Sequence, residues 1–486
     1  MDEKSHYTTW DIVQHLWLNL DLPHDALDSL HLDGGDEVAA PSSFKIGHLA
    51  QSSIAVAGLL AATIQAQRQQ AAVPKVKVDR LHAVTEFQSE KLYLLNGQRP
   101  QPIWGPIGGL HDTAGDGQIA VQDSFIHHRN GAFHLVGCTP SVTRAEFDDK
   151  LKTRKALDLE AAAVDAGAVL FAVRSYSDWD STPQGRSVKN FPITITKVAD
   201  SEPCPLPQIP SGSSKCLSGI RVLELSRVIA GPLAGRTLAA HGADVLWITS
   251  PNLPDVPSLD MDFSRGKRTA QLDLTKPEDA EKFWALLADA DVFLQSYRPG
   301  SLSSRGLRTE ELVRKRSATG RPLVCASLSA WGTEGPWADR RGFDAMVQTA
   351  SGMAVSEAEH YGAGESARFI GPCRALDHGA GYFVASGIMA ALYRHQTEGG
   401  SYQVDVSLAG VMKYLRSLGQ YEGKTGFECE AIEKFDDVPA EMTESRDCAF
   451  GKLQSIKHAV RIEGVEVGWE HMPKPLGSDP AVWLPR

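Results

Sequence analysis

Paired cysteines are missing from this sequence. Its seven cysteines are scattered singly, with no C-x-x-C pair, and an odd, dispersed set fits reduced thiols rather than a disulfide framework. Positive charge is in short supply as well: 49 Lys and Arg stand against 60 Asp and Glu, a net charge of -11. That balance argues against a general nucleic-acid or membrane-surface binder and leaves room only for a local basic pocket. The longest apolar run, IAVAGLLAATI, falls well short of the roughly 18 residues a membrane span needs. The start, MDEKSHYTTW, carries no apolar leader core and the end, WLPR, is no retention or peroxisomal signal, so a cytoplasmic location is the expectation. No G-x-G-x-x-G follows a strand, which excludes the dinucleotide fingerprint. His127, His128 and His134 in HHRNGAFH lack a Cys, Asp or Glu at ligand spacing, so no metal site is expected. What remains is an ordinary globular composition, 42% hydrophobic and 22% charged over 486 residues, enough for two or three domains with sizeable cores.

The stretch VADSEPCPLPQIPSGSSKC concentrates Pro and Ser without apolar periodicity and reads as a linker over 201–216. Beyond it, GIRVLELSRVIAGPLAGRTLAAHGADVLWIT has the order of a βαβ unit, with Pro232 suited to the first helical turn and Gly242 to the helix end. AEKFWALLADADVFLQSY and PLVCASLSAWG continue the alternation. The expectation is an α/β domain over 217–420 built on a parallel sheet covered on both faces, with an extension over 421–486 packed on the core. Before the linker, DGQIAVQDSF and KALDLEAAAVDAGAVLFAVRSYSDW predict a smaller α+β domain over 91–200. Residues 1–90 hold an echo: GHLAQSSIAVAGLLAATIQAQ…VKVDRLHAV parallels ALDHGAGYFVASGIMAALYRH…YQVDVSLAG in helix, connection and Val-Asp strand. They read as a partial repeat of the end of the main domain, in which His48 or Gln51, depending on the gap chosen, stands where the second copy has Asp377.

In RALDHGAGYF, Asp377 has two readings: a helix cap accepting a backbone N–H, or a reactive carboxylate at a helix start with Gly379, Ala380 and Gly381 leaving room for a substrate carbonyl. SRGKRT places Arg265, Lys267 and Arg268 within four positions, either a solvated turn or a phosphate-binding loop. The AGP turn opening a helix is either structural or a source of free N–H groups. Trp331 and Trp337 flank GTEGP as walls of an acyl pocket or as core.

Taken in order over Leu217 to Gly410, LSGIRVLELSRVIAGPLAGRTLAAHGADV, SRGKRTAQLDL, SYRPGSLSSRGL, SLSAWGTEGPWADRRGFD and ALDHGAGYFVASGIMAALYR resemble the class III CoA-transferases. This is the family of carnitine CoA-transferase, formyl-CoA transferase and α-methylacyl-CoA racemase. The resemblance implies a Rossmann-like CoA domain and a two-part, rearranged member in which the small domain comes first. It implies acyl-CoA and a free carboxylic acid as substrates, no tightly bound cofactor, an interlocked homodimer, and neither nucleic acid nor membrane as partner. The family's nucleophilic aspartate falls on Asp377. The turn along the CoA thiol falls on Arg227, Val228, Ile229 and Ala230, with Ile229 where formyl-CoA transferase has glutamine. Arg265, Lys267, Arg268 and Arg305 fall on CoA-binding positions, and the residues themselves, not the resemblance, put Trp331, Gly379, Ala380 and Gly381 at the expected substrate pocket. The activity implied is CoA transfer through an aspartyl anhydride. The alternatives are a 2-methylacyl-CoA racemase, whose G-H-D histidine is here Phe343, and a catalytically silent CoA-binding or scaffold protein.

Overall fold

The computed structural model describes residues 3–317 and 321–486. In chain order the strands are β1 (Leu30–Asp33), β2 (Val76–Asp79), β3 (Leu94–Leu95), β4 (Gly109–Asp112), β5 (Gln118–Val121), β6 (Leu170–Ala172), β7 (Ile193–Ala199) and β8 (Arg221–Leu225). They continue as β9 (Asp244–Thr249), β10 (Arg268–Gln271), β11 (Val292–Gln295), β12 (Val324–Ser329), β13 (Ser401–Ser407), β14 (Thr443–Cys448), β15 (Gly451–Ile456) and β16 (Val460–Ile462). The main sheet runs β10-β9-β8-β11-β12-β13-β7. Its first six strands are parallel, as the helix–strand alternation predicts, and buried positions dominate along them, as a sheet covered on both faces requires. The seventh, β7, is antiparallel to β13. It comes from before the linker, so the expected boundary of the small domain at 200 is corrected: residues 193–199 belong to the main sheet.

The small domain itself is the antiparallel sheet β4-β5-β6 with the helices Ile126–Val136, Arg144–Leu151 and Ala156–Asp165. It has its own core of Ile107, Ile119, Phe133, Phe147, Leu159 and Leu170. The linker carries no helix or strand, yet it is not a free tether. Arg68 donates to the carbonyls of Cys216 and Ser218 at 2.7 and 2.8 Å, and Cys216 and Leu217 are fully buried.

Two helices of 24 residues, Ile46–Gln69 and Ala375–Glu398, pack against each other at the centre. Both are rich in Ala, Gly and Ser and buried nearly all round, the pattern of a core helix. The first is long and apolar enough to cross a membrane by length and composition, but here its apolar stretch is buried within the protein. Each follows one parallel strand and precedes another: β1 and β2 pair in parallel around the first, β12 and β13 around the second. An antiparallel edge strand completes each set, β16 on β2 and β7 on β13. The C-terminal extension therefore supplies to the first copy what the segment before the linker supplies to the second.

The repeat is real in three dimensions, and its register is settled by packing. The thirteenth residue of each helix is a glycine, Gly58 and Gly387, and a Cβ at either would lie 2.7 Å from Val460 of β16 or 3.0 Å from Ile193 of β7. The third residues are then His48 and Asp377, which decides for His48 over Gln51. The Val-Asp match is out of register. Asp79 ends β2 and caps the following helix through the His82 N–H, and that task after β13 falls to Ser407, not to Asp405.

Candidate active site

Asp377 does not cap its own helix. Asp344, from the helix Asp344–Ala350, reaches across and accepts from the backbone N–H groups of Leu376 at 2.9 Å and Asp377 at 3.1 Å, held by Gln348. This satisfies two of the orphan donors of a helix start from outside. The Asp377 carboxylate is thereby released from capping, and it keeps 9% exposure where Leu376 and His378 have none. Burial, with the Asp344 carboxylate beside it, pushes the Asp377 carboxyl well above the usual range; Arg374 pulls the other way, and Glu90 adds to the rise. His378 faces away: its Nε2 meets Glu90 at 3.0 Å and its ring lies against Phe87.

Next to this helix lies the turn that follows β8. In the main sheet the chain runs outward from β8 to β9 and β10, then returns to β11, β12 and β13 on the other side. The carboxyl ends of β8 and β11 are thus the point where strand order reverses, the place where open α/β sheets bind ligands. A cavity of about 250 Å³ opens there, lined by Leu225, Thr249, Ser250, Leu272, Tyr297 and the exposed Arg305 among others. Val228, in the turn itself, has φ +74, a conformation that costs a β-branched residue on the order of 1–3 kcal/mol and that clusters at functional sites. Ile229 precedes the helix Ala230–Ala240 and offers no side-chain cap. Ala230 meets the Asp377 helix at Gly381, where a Cβ would come within 2.8 Å of the Ala230 carbonyl. Asp377 lies one helical turn before Gly381, on the helix face that meets Ala230 and Leu233.

The RGKR segment corrects the expectation of an open phosphate loop. Arg265 is fully buried, paired with Asp262, and donates to the Ile456 carbonyl at 2.7 Å. Lys267 is paired with Glu224 at 2.8 Å, and burial brings its ammonium down to about 8 against the pull of that carboxylate. Arg268 forks onto Asp244 at 2.8 and 2.9 Å. Gly266, at φ +79, turns the chain into the first residues of β10 and directs these side chains into the core, where charge is tolerated only when paired. Three other arginines, Arg227, Arg298 and Arg341, converge instead on the small domain at His128. All three, after burial and His127, contribute to holding His128 of the small domain as low as about 3. Arg227 also sits 4.8 Å above the Phe125 ring. Arg298 and Arg341 were missed as individual residues, although SYRPGS and DRRGFD contain them.

The substrate-pocket residues are corrected too. A Cβ at Gly379 would lie 3.0 Å from Val411 and 3.1 Å from Leu49, and Ala380 is fully buried. These small side chains let helices approach and leave no open space. Trp331 packs with Phe171, Trp179 and Trp337, and its Nε1 donates to the Arg341 carbonyl at 3.1 Å. It is a hub of the joint between the small domain and the sheet, and it anchors Arg341 rather than walling an acyl group. Among the described residues no three His, Cys, Asp or Glu side chains gather as a metal site.

The first copy has filled the equivalent place. His48 Nδ1 accepts from Arg80 at 2.7 Å and its Nε2 lies 3.4 Å from Asp36, while Arg80, 2% exposed, also donates to Thr9. Burial and the adjacent guanidinium bring His48 down to about 3, so it is a neutral link in a closed network.

Residues 217–429, which hold β8 to β13, the strained turn and Asp377, match the sequence model of CoA-transferase family III. This segment belongs to that family. Among curated relatives of the CoA-transferase segment, an acyl-CoA transferase of Gibberella moniliformis is 30% identical over 291 residues, covering 59% of this chain and 49% of the relative. A succinate–glutarate CoA-transferase of Agrobacterium fabrum is 33% identical over 213 residues, 40% of this chain and 51% of its own length. A CAIB/BAIF family protein from Brucella suis, of known structure, is 25% identical with a TM-score of 0.36, covering 49% of this chain and 65% of that one. The chain thus spans about half the length of the curated relatives it matches.

Proposed function

We propose that this protein transfers CoA from an acyl-CoA to a free carboxylic acid, with Asp377 as the covalent carrier. The Asp377 carboxylate attacks the thioester carbonyl, the C–S bond breaks, and CoA thiolate leaves a mixed anhydride. The thiolate returns to the Asp377 side of that anhydride, releasing the first acid and forming an aspartyl thioester. The second carboxylate attacks this thioester, and the freed thiolate then takes its acyl group, restoring Asp377. A carboxylate is competent for this when held against an activated carbonyl in a dry site. The observation that carries the reading is that Asp344 takes over the capping task, leaving the nearly buried Asp377 carboxylate uncapped, on a helix packed against the one that follows the strained Arg227–Ala230 turn. Arg227, Arg298, Arg341 and the exposed Arg305 are the groups suited to the CoA phosphates.

Racemisation would need an acid and a base on opposite faces of the α-carbon. Phe343 cannot carry a proton, and His378 is engaged by Glu90. The silent-scaffold alternative describes the His48 network well, but not the second copy, whose buried carboxylate has no pairing cation in hydrogen-bond contact among the described residues. The test is to quench turnover with hydroxylamine and map the modified peptide. Modification at Asp377, absent in Asp377→Asn together with the activity, is the expected outcome, and a fully active Asn variant would sink the reading.

A further inference from the structure

A cavity of about 800 Å³ lies between the helix Pro257–Phe263, the segment 93–103 and the C-terminal segment 473–476. That is the size of a small-molecule site. Its walls include Leu95, Ile103, Val256, Met261, Phe450 and Leu476. It adjoins the recess behind the strained turn. Asp255, Val256 and Asp260 line both this cavity and the recess behind Arg227 and Val228, and that recess in turn shares Thr249, Ser250 and Tyr297 with the crevice holding Arg305. Three chambers therefore follow one another, from a cationic end, past the strained turn, to an apolar end. Trp104, the neighbour in sequence of the wall residue Ile103, lies 5.5 Å from the guanidinium of Arg374, the residue that precedes the Asp377 helix. Charge inside the chamber decides what it accepts. Asp255 and Asp260 face it, Lys474 is occupied by Asp479 at 2.5 Å, and Arg99 is exposed at the rim. A chain ending in a carboxylate would pass two carboxyl groups, whereas an uncharged one would bury apolar surface.

We propose that the acyl group handled by this protein is an uncharged hydrocarbon chain of medium length or longer, housed in this chamber. The inference rests on the CoA-transfer reading. Much of the chamber comes from outside the family-matched segment, from the residues before the linker and from Phe450 and Pro473–Leu476, so its selectivity belongs to this chain's own arrangement.

The experiment uses the full-length protein and measures exchange of a carbon-13-labelled acid into its own CoA thioester, for acetate, butyrate, hexanoate, octanoate and succinate. In kcat/KM, exchange should rise by about fourfold per methylene from butyrate to octanoate, with succinate below butyrate. Ile103→Trp, which fills the chamber, and Leu476→Asp, which charges it, should each lower the ratio of octanoate to acetate exchange by about tenfold or more. A flat profile, or succinate ahead of butyrate, overturns the chamber assignment while leaving CoA transfer intact. If no acid exchanges, the transfer reading fails, and calorimetry with S-octyl-CoA against CoA judges the chamber alone. Octyl-CoA binding about tenfold tighter, with the gain lost in Ile103→Trp, supports it; equal affinities overturn it.

Discussion

In the proposed reaction Asp377 must be ionised to attack the thioester, whereas burial and Asp344 favour its protonated form, so the acid limb of activity is predicted to follow Asp377. As pH falls through its raised pKa, kcat/KM should fall with it. Arg374→Gln removes the opposing cation and should move that limb to higher pH. Asp344→Asn removes the like charge, keeps an amide oxygen for the Leu376 N–H, and should move it lower; pH–rate profiles of the two variants check both directions. Asp260 bears on stability. Burial, reinforced by Asp255, raises its carboxyl to about 7. A folded-state pKa above the unfolded value means stability fully present below about pH 4 and lost as pH rises through 7, by up to about 1.4 kcal/mol per unit. Asp260→Asn should flatten that slope in urea unfolding measured from pH 4 to 8, and an unchanged slope would assign it elsewhere. At this scale the sequence left Asp377 open between cap and reactive carboxylate, and the structure removes the cap; for RGKR the sequence was misleading. A cluster of cations announces charge, but the carboxylates that pair with Lys267 and Arg268, Glu224 and Asp244, come from other strands of the sheet and are not local in the chain.

The two long helices show what small residues accomplish between elements. Gly381 admits the Ala230 carbonyl and Leu233, so Gly381→Val should wedge the helices apart and destabilise the protein by about 1–3 kcal/mol. Because the strained turn rides on that contact, activity should fall further than the loss of folded protein accounts for; activity per folded molecule, with folding followed by circular dichroism, separates the two. The strands and helices of the parallel sheet were readable because each carries its own periodicity. Partnership was not readable. Nothing in ITITKVA or VRI names the sheet it will join, yet β7 closes the main sheet and β16 closes the other. The Val-Asp echo between the copies misled for a related reason, since the register is set by Gly58 and Gly387 against their edge strands, a constraint visible only once the strands are in place.

Across the whole molecule, the segments on either side of the linker are interleaved. Glu86, Ser89 and Glu90, from before the linker, meet His458, Asp262 and His378 from after it, and Arg236 lies buried between Asp262 and Glu86. Residues 216–486 alone would strip these partners and expose the face of the Asp377 helix that Ile46–Gln69 covers. That fragment should be insoluble or inactive, and co-expression with residues 1–215 should recover activity. A soluble fragment as active as the full chain would show the first half to be an independent module.

The His48–Arg80–Asp36 network carries a genetic consequence. Where two identical subunits face each other, every codon change is made twice, and a change that improves one partner as a support is also imposed on the partner that reacts. Fusion of two copies into one reading frame removes that coupling. A first copy so released can serve as support alone, which fits the guanidinium–imidazole link at His48 where the second copy has Asp377. Substitutions at His48 should accordingly register in folding yield and leave the chemistry at Asp377 to selection of its own.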